Sequence, residues 1–136
     1  MSTATQEDFA KLILRLAIGM LMLLHGIAKL IHGVGPIEGM MVARGLPAFF
    51  AWAVYIGEVI APLLLIFGLY TRLGALLIAA NMVVAIALAH SGHLMQLGGT
   101  GGWRLELQGL FLFGSIAVAM LGAGRFSVGG RGGSWN

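Results

Sequence analysis

The chain has 136 residues, 59% hydrophobic and only 10% charged, with a net charge of +3; its mean hydropathy is +0.95. Those values exclude a soluble domain and describe a chain that lives in lipid. Cysteine is absent, which excludes disulfides, thiol relays and thiolate-ligated iron-sulfur clusters within the chain, and the few lysines and arginines form neither a run nor a basic helix face, which excludes nucleic acid as a partner.

Four apolar stretches follow one another, approximately residues 9–31, 49–69, 73–91 and 105–122. Each is close to the ~20 residues needed to cross hydrocarbon as a helix. The expected fold is therefore all-α: one domain, residues 1–136, forming an integral membrane four-helix bundle. Its short connections make consecutive helices antiparallel neighbours. The first stretch does not read as a secretory signal peptide, because Glu7 and Asp8 stand where a basic start is needed and no A-x-A site follows. It crosses the bilayer only if Lys11 and Arg15 reach back to one interface while His25 and Lys29 reach the other interface or the bundle interior. At ~100° per residue, Arg15, Met22, His25, Lys29 and His32 fall within an arc of about 100°, a single stripe.

The second stretch carries Glu58 among Val59, Ile60 and Ala61. A charge at that depth costs roughly 2.5–3.5 kcal/mol and requires a partner, the simplest being Lys29 or His25. Glu58 lies about nine residues below one end of its helix and His25 about seven below the same end of the first, so at ~1.5 Å per residue their depths match within a few ångström. Pro62, four residues on, leaves the Glu58 carbonyl without its helical donor and bends the helix beside the acid. On the third stretch Asn81 and His90 sit nine positions apart, on opposite faces, so at most one of them points at a shared site. The fourth opens with Trp103, Arg104, Glu106 and Gln108, and Ser115, Ala119 and Ala123 give it a small-residue face suited to close packing. The Gly98 to Gly102 connection, GGTGG, lacks the Lys-Ser/Thr of a phosphate loop and is expected to be a flexible link, and the glycine-rich stretch from Gly122 to Asn136 is expected to be disordered at its end.

One side of the bundle holds Lys11, Arg15, Arg72, Arg125 and Arg131, the other Lys29, Arg44 and Arg104. The positive-inside rule then places both termini in the cytoplasm and the segments around residues 33–48 and 92–104 outside. His25, Lys29, Glu58, His90 and Glu106, with Arg104, are the candidates to converge in the outer half of the bundle. Among them Glu58 and His25 are the candidate catalytic pair. The plainer readings stand beside this one: Lys29 snorkels, His90 and His93 are solvated near a helix end, Trp103, Arg104 and Glu106 anchor an interface, and Glu58 makes a structural ion pair. No close-spaced ligand motif argues for a metal, and two histidines on different helices are weak grounds for haem.

His25-Gly26 with Lys29-Leu30, Gly57-Glu58, the turn Gly68-Leu69-Tyr70-Thr71-Arg72, Gly101-Gly102, and Gly122-Ala123-Gly124-Arg125-Phe126-Ser127 together resemble, in order and spacing, the DoxX family of small four-helix membrane proteins. The chain departs from that pattern at Arg104, where relatives often carry an acid, and at Gly129, where they often carry an aspartate. The resemblance implies a bacterial or archaeal cytoplasmic membrane protein tied to redox metabolism, its relatives being associated with thiosulfate:quinone oxidoreduction, oxidative stress, thiol balance, and resistance to quinones and catechols.

Three functions compete. The first is a quinone or similar lipid-soluble ligand bound in the outer half of the bundle, with His25 or Lys29 supplying hydrogen-bond donors and Glu58 a proton path, and with electrons coming from a partner oxidoreductase subunit because the chain has no redox centre of its own. The second is a non-enzymatic anchor for such a partner. The third is transport of a small molecule or a proton, for which a four-helix chain would form a homo-oligomer.

Overall fold

A computed structural model describes residues 2–136. Helix α1 runs Thr3–His32, α2 Gly35–Ala43, α3 Ala48–Phe67, α4 Thr71–His93 and α5 Glu106–Leu121. Among the described residues the only β pairing is an isolated bridge between Leu97 and Trp103, so the molecule is all-helical as expected. Three helices, α1, α3 and α4, are long and apolar enough to cross a membrane. The fourth expected span is α5, whose bounds fall within a residue of those expected; its 16 residues rise about 24 Å, less than the ~30 Å of hydrocarbon.

The helices form a ring in which α1 packs on α3, α3 on α4, α4 on α5 and α5 on α1. Neighbours run in opposite directions. Arg15 meets Leu65 while Lys29 meets Glu58, and Arg72 meets Ala119 while His90 meets Gln108. Ile18, Met22, Leu65, Ile78, Met82, Phe111 and Val118 fill the centre. Large apolar side chains such as Ile13, Leu24, Ile31, Phe113 and Met120 cover the outside, the surface that a lipid solvent requires and that water would penalise.

The end of the bundle that holds the Tyr70 turn is closed by two arginines. Arg15, 2% exposed, donates to the carbonyls of Leu65 and Ile66 at 2.6 and 2.7 Å and to that of Phe126. It is folded inward at this end of the bundle, where it satisfies the Ile66 carbonyl left without a helical donor and shares that of Leu65 with the Gly68 amide. Arg72 does the same for α5, donating to Ala119 and Met120 at 2.9 and 3.1 Å. The segment after α5 is ordered against this end, contrary to the glycine-rich expectation. Arg131 pairs with buried Asp8, Asn136 accepts from the Thr71 hydroxyl at 3.1 Å, and the amides of Val128 and Gly129 bond the carbonyls of Phe67 and Gly68. Gly68 has φ 70°, and a Cβ there would lie 2.3 Å from that of Ser127, so the turn and the Gly122 to Ser127 motif are halves of one packing unit.

At the opposite end a stretch expected to be a loop contains α2. Pro36 at its first turn and Glu38 near its positive end are ordinary helix-starting choices. Met41 of α2 packs with Val34, Ala51, Val54, Tyr55 and Leu88 in a second apolar cluster, and Arg44 donates to the Leu88 carbonyl at 3.1 Å, which ties α2 across the tops of α3 and α4.

Candidate functional site

The first link is the approach of α1 to α3. Gly19, Met22, Gly26 and Lys29 share one face of α1, and both glycines lack the side chain that would hold the helices apart. A Cβ on Gly26 would lie 2.0 Å from the Glu58 carbonyl oxygen. That carbonyl is the one Pro62 cannot serve, and the helix is wound as a wider π turn over Ile56–Ile60 just ahead of the proline. Such turns concentrate at functional sites. Gly26→Ala forces backbone against backbone, so its cost is expected at or above the ~3 kcal/mol upper end of ordinary overpacking; a melting temperature in detergent equal to that of the native chain would contradict this close contact.

With the helices that near, Lys29 reaches Glu58. Its Nζ lies 2.5 Å from Oε2, and the side chains are 25% and 7% exposed. From α4, Asn81 Nδ2 donates to the other carboxylate oxygen at 3.3 Å. Gly57 makes room for it, since a Cβ there would fall 2.5 Å from the Asn81 Cβ. Tyr55 donates to the Lys29 carbonyl at 3.0 Å and so pins the last turn of α1 to α3. The carboxylate is thus held by three helices.

This polar group bounds one part of an otherwise apolar cavity of about 420 Å³ between α3 and α4, within the range of small-molecule sites. Phe50, Ala53, Val54 and Ile56 of α3 and Leu77, Val84 and Leu88 of α4 form its walls, with Ile37, Met40 and Met41 of α2 over it. A second π turn, Ile86–His90, contributes Leu88 and Ala89 to the same wall. A lysine ammonium has three N–H donors and an asparagine amide two plus an acceptor. The bonds described use one donor of each, which leaves hydrogen-bonding capacity for a guest.

Of the residues singled out in the sequence, the structure brings Lys29 and Glu58 together and adds Asn81. It places the others elsewhere. His25 lies at the α1–α5 contact, its ring edge-on to Phe111 at 5.6 Å between centroids and its Nδ1 3.0 Å from the Leu21 carbonyl. His90 faces Gln108 at 3.3 Å, Glu106 folds toward Gly102, and Arg104 bonds Gln96 at 2.9 Å; none of the four lines the cavity. Nine positions do separate Asn81 and His90 onto different faces, and Asn81 is the one that meets the acid.

Comparison with known proteins gives the family. The DoxX family model matches residues 10–91, more than half of the chain and all of the segment that supplies Lys29, Glu58 and Asn81. The chain belongs to the DoxX family. It is also 29% identical over 116 residues, 85% of this chain and 81% of the other, to the Bacillus subtilis (strain 168) protein named "Putative oxidoreductase CatD". No solved structure matches it. As a DoxX protein with three long apolar helices, it is a membrane protein, of a family associated with oxidoreductases.

Proposed function

We propose that this DoxX protein is a multi-pass subunit of the cell membrane, with four spans and both termini cytoplasmic, that binds a quinone in the cavity beside Lys29 and Glu58 and serves a partner oxidoreductase in oxidative-stress or sulfur and thiol metabolism. The observation that carries the reading is a partly buried ion pair, with donors to spare, at the edge of an apolar cavity of about 420 Å³, large enough for a quinone ring. Reduction of a quinone to a quinol takes two electrons and two protons, one proton to each carbonyl oxygen. The electrons come from the partner, since the chain has no cysteine to carry them. Lys29 hydrogen-bonds a quinone carbonyl, Glu58 takes up two protons from water one after the other and passes them to the reduced ring, and Asn81 holds the carboxylate in place while they move. The five basic residues at the end opposite the cavity support, by the positive-inside rule, a cavity in the outer half of the bilayer.

This assignment leaves His25 out of the ligand's contacts, and that is open to test. His25→Ala is expected to bind decylubiquinone within about twofold of the native chain in nanodiscs, whereas Glu58→Gln weakens it severalfold or more; a tenfold loss on His25→Ala would move the site toward α5.

A second reading has its own support. Both carboxylate oxygens of Glu58 already have partners, as expected of a structural clamp in a protein that only anchors its redox partner. In that case the chain binds no quinone, and replacing Lys29 and Glu58 together with methionines leaves assembly with the partner unchanged.

A further inference from the structure

The walls of the cavity are not equally covered, and the difference says where its ligand comes from. On the side away from α1, the cavity is edged by Ala53 and Ile56 of α3 and by Ala80 and Val84 of α4, and all four are exposed on the outer surface of the bundle. These side chains lie on the long apolar helices, among the lipid-facing groups. Toward water the situation is reversed. The α2 helix lies across the top, its Met41 buried against Ala51 of α3, and the Arg44 bond to the Leu88 carbonyl fastens it to α4.

We infer that the cavity is filled sideways from the bilayer through a mouth between α3 and α4, and that its ligand is a two-part molecule, an acceptor-bearing ring inside and an apolar chain trailing through the mouth into lipid. This rests on the quinone reading above and narrows it from quinones in general to tailed ones. The chemistry follows from the walls. Lys29 and Asn81 lie at the inner side, so an acceptor group enters first. The mouth offers no hydrogen-bonding side chain, so what stays in it is hydrocarbon, which gains van der Waals contact with the side chains of the mouth in place of lipid. Ala53 and Ala80 are the smallest side chains at the mouth and both are exposed, so a larger side chain at either projects into the mouth rather than into the packed core.

The test uses the full chain in phosphatidylcholine nanodiscs and two probes, decylubiquinone and the tail-less ubiquinone-0, with binding followed by quenching of tryptophan fluorescence. The native chain is expected to hold decylubiquinone at least tenfold more tightly than ubiquinone-0 after correction for partition into lipid. Ala80→Phe and Ala53→Phe are expected to weaken decylubiquinone at least tenfold and change ubiquinone-0 less than threefold. Leu24→Phe, on a lipid-facing surface of α1 away from the mouth, controls for the added ring and should alter neither. Equal affinity for the two probes, or plugged variants that bind decylubiquinone like the native chain, overturns the lateral mouth while leaving the quinone reading in place. Absence of binding by both probes overturns both.

Discussion

Glu58→Gln is expected to abolish quinone-dependent turnover while the chain still inserts and accumulates. Glutamine has the same shape, its amide oxygen can still accept from Lys29 or Asn81, and the charge it leaves without a counter-charge is on the more exposed partner, 25% against 7%, so the loss of stability is expected to be smaller than that of Lys29→Met and the chain to stay folded. What it cannot do is carry a proton at neutral pH. Proton transfer by a placed side chain is worth about 10²–10⁴ in rate, and a loss of at least about 100-fold is the expected result. Quinol formation in membrane vesicles containing the partner oxidoreductase, measured beside the amount of chain in the membrane, reports both quantities. Turnover near the native rate would show that Glu58 holds helices together and nothing more.

The second large effect is on stability. Lys29→Met removes one member of a buried pair and leaves the Glu58 carboxylate with Asn81 alone. Breaking a buried pair from one side costs about 3–5 kcal/mol, whereas exchanging both members for apolar groups of similar size is often neutral. Lys29→Met alone is therefore expected to lower thermal stability in detergent by several kcal/mol, and adding Glu58→Met to it is expected to restore most of the loss. The double variant keeps α1, α3 and α4 together and loses the donors of the cavity. If it retains quinone binding as well as stability, the polar group is not the ligand's contact. If Lys29→Met alone melts like the native chain, the ion pair does not hold the helices.

The sequence carried the helical architecture well because lipid imposes a simple rule. Every backbone group in hydrocarbon needs an internal partner, so apolar stretches of that length have little choice but to be helices, and α1, α3, α4 and α5 fall near the expected bounds. Depth also follows from counting along a helix, but the count matched His25 to Glu58, whereas the partner is Lys29, one turn nearer the helix end, whose long side chain reaches the acid. Rotation about the helix axis is harder to read. His25 and Lys29 are four positions apart on one stripe, yet a few tens of degrees turn one toward α3 and the other toward Phe111 of α5. The position of Asn81 depends on Gly57, a contact between residues 24 positions apart in sequence. The α2 helix was hidden because its nine residues are too few for a span, although Gly35-Pro36 and Glu38 mark a helix start. The ordering of residues 122–136 was hidden for a different reason: composition reports what a segment cannot bury, and says nothing of the hydrogen bonds that Asp8, Thr71 and Arg72 offer it.

The central claim is that the cavity beside Lys29 and Glu58 holds a quinone, and native mass spectrometry of the chain extracted in mild detergent tests it most directly. The native chain is expected to carry an adduct whose mass and fragments are those of a membrane quinone, and the Lys29→Met, Glu58→Met double variant, equally well folded, is expected to carry none. A native chain without quinone, or a double variant with the same adduct at the same occupancy, would contradict the account.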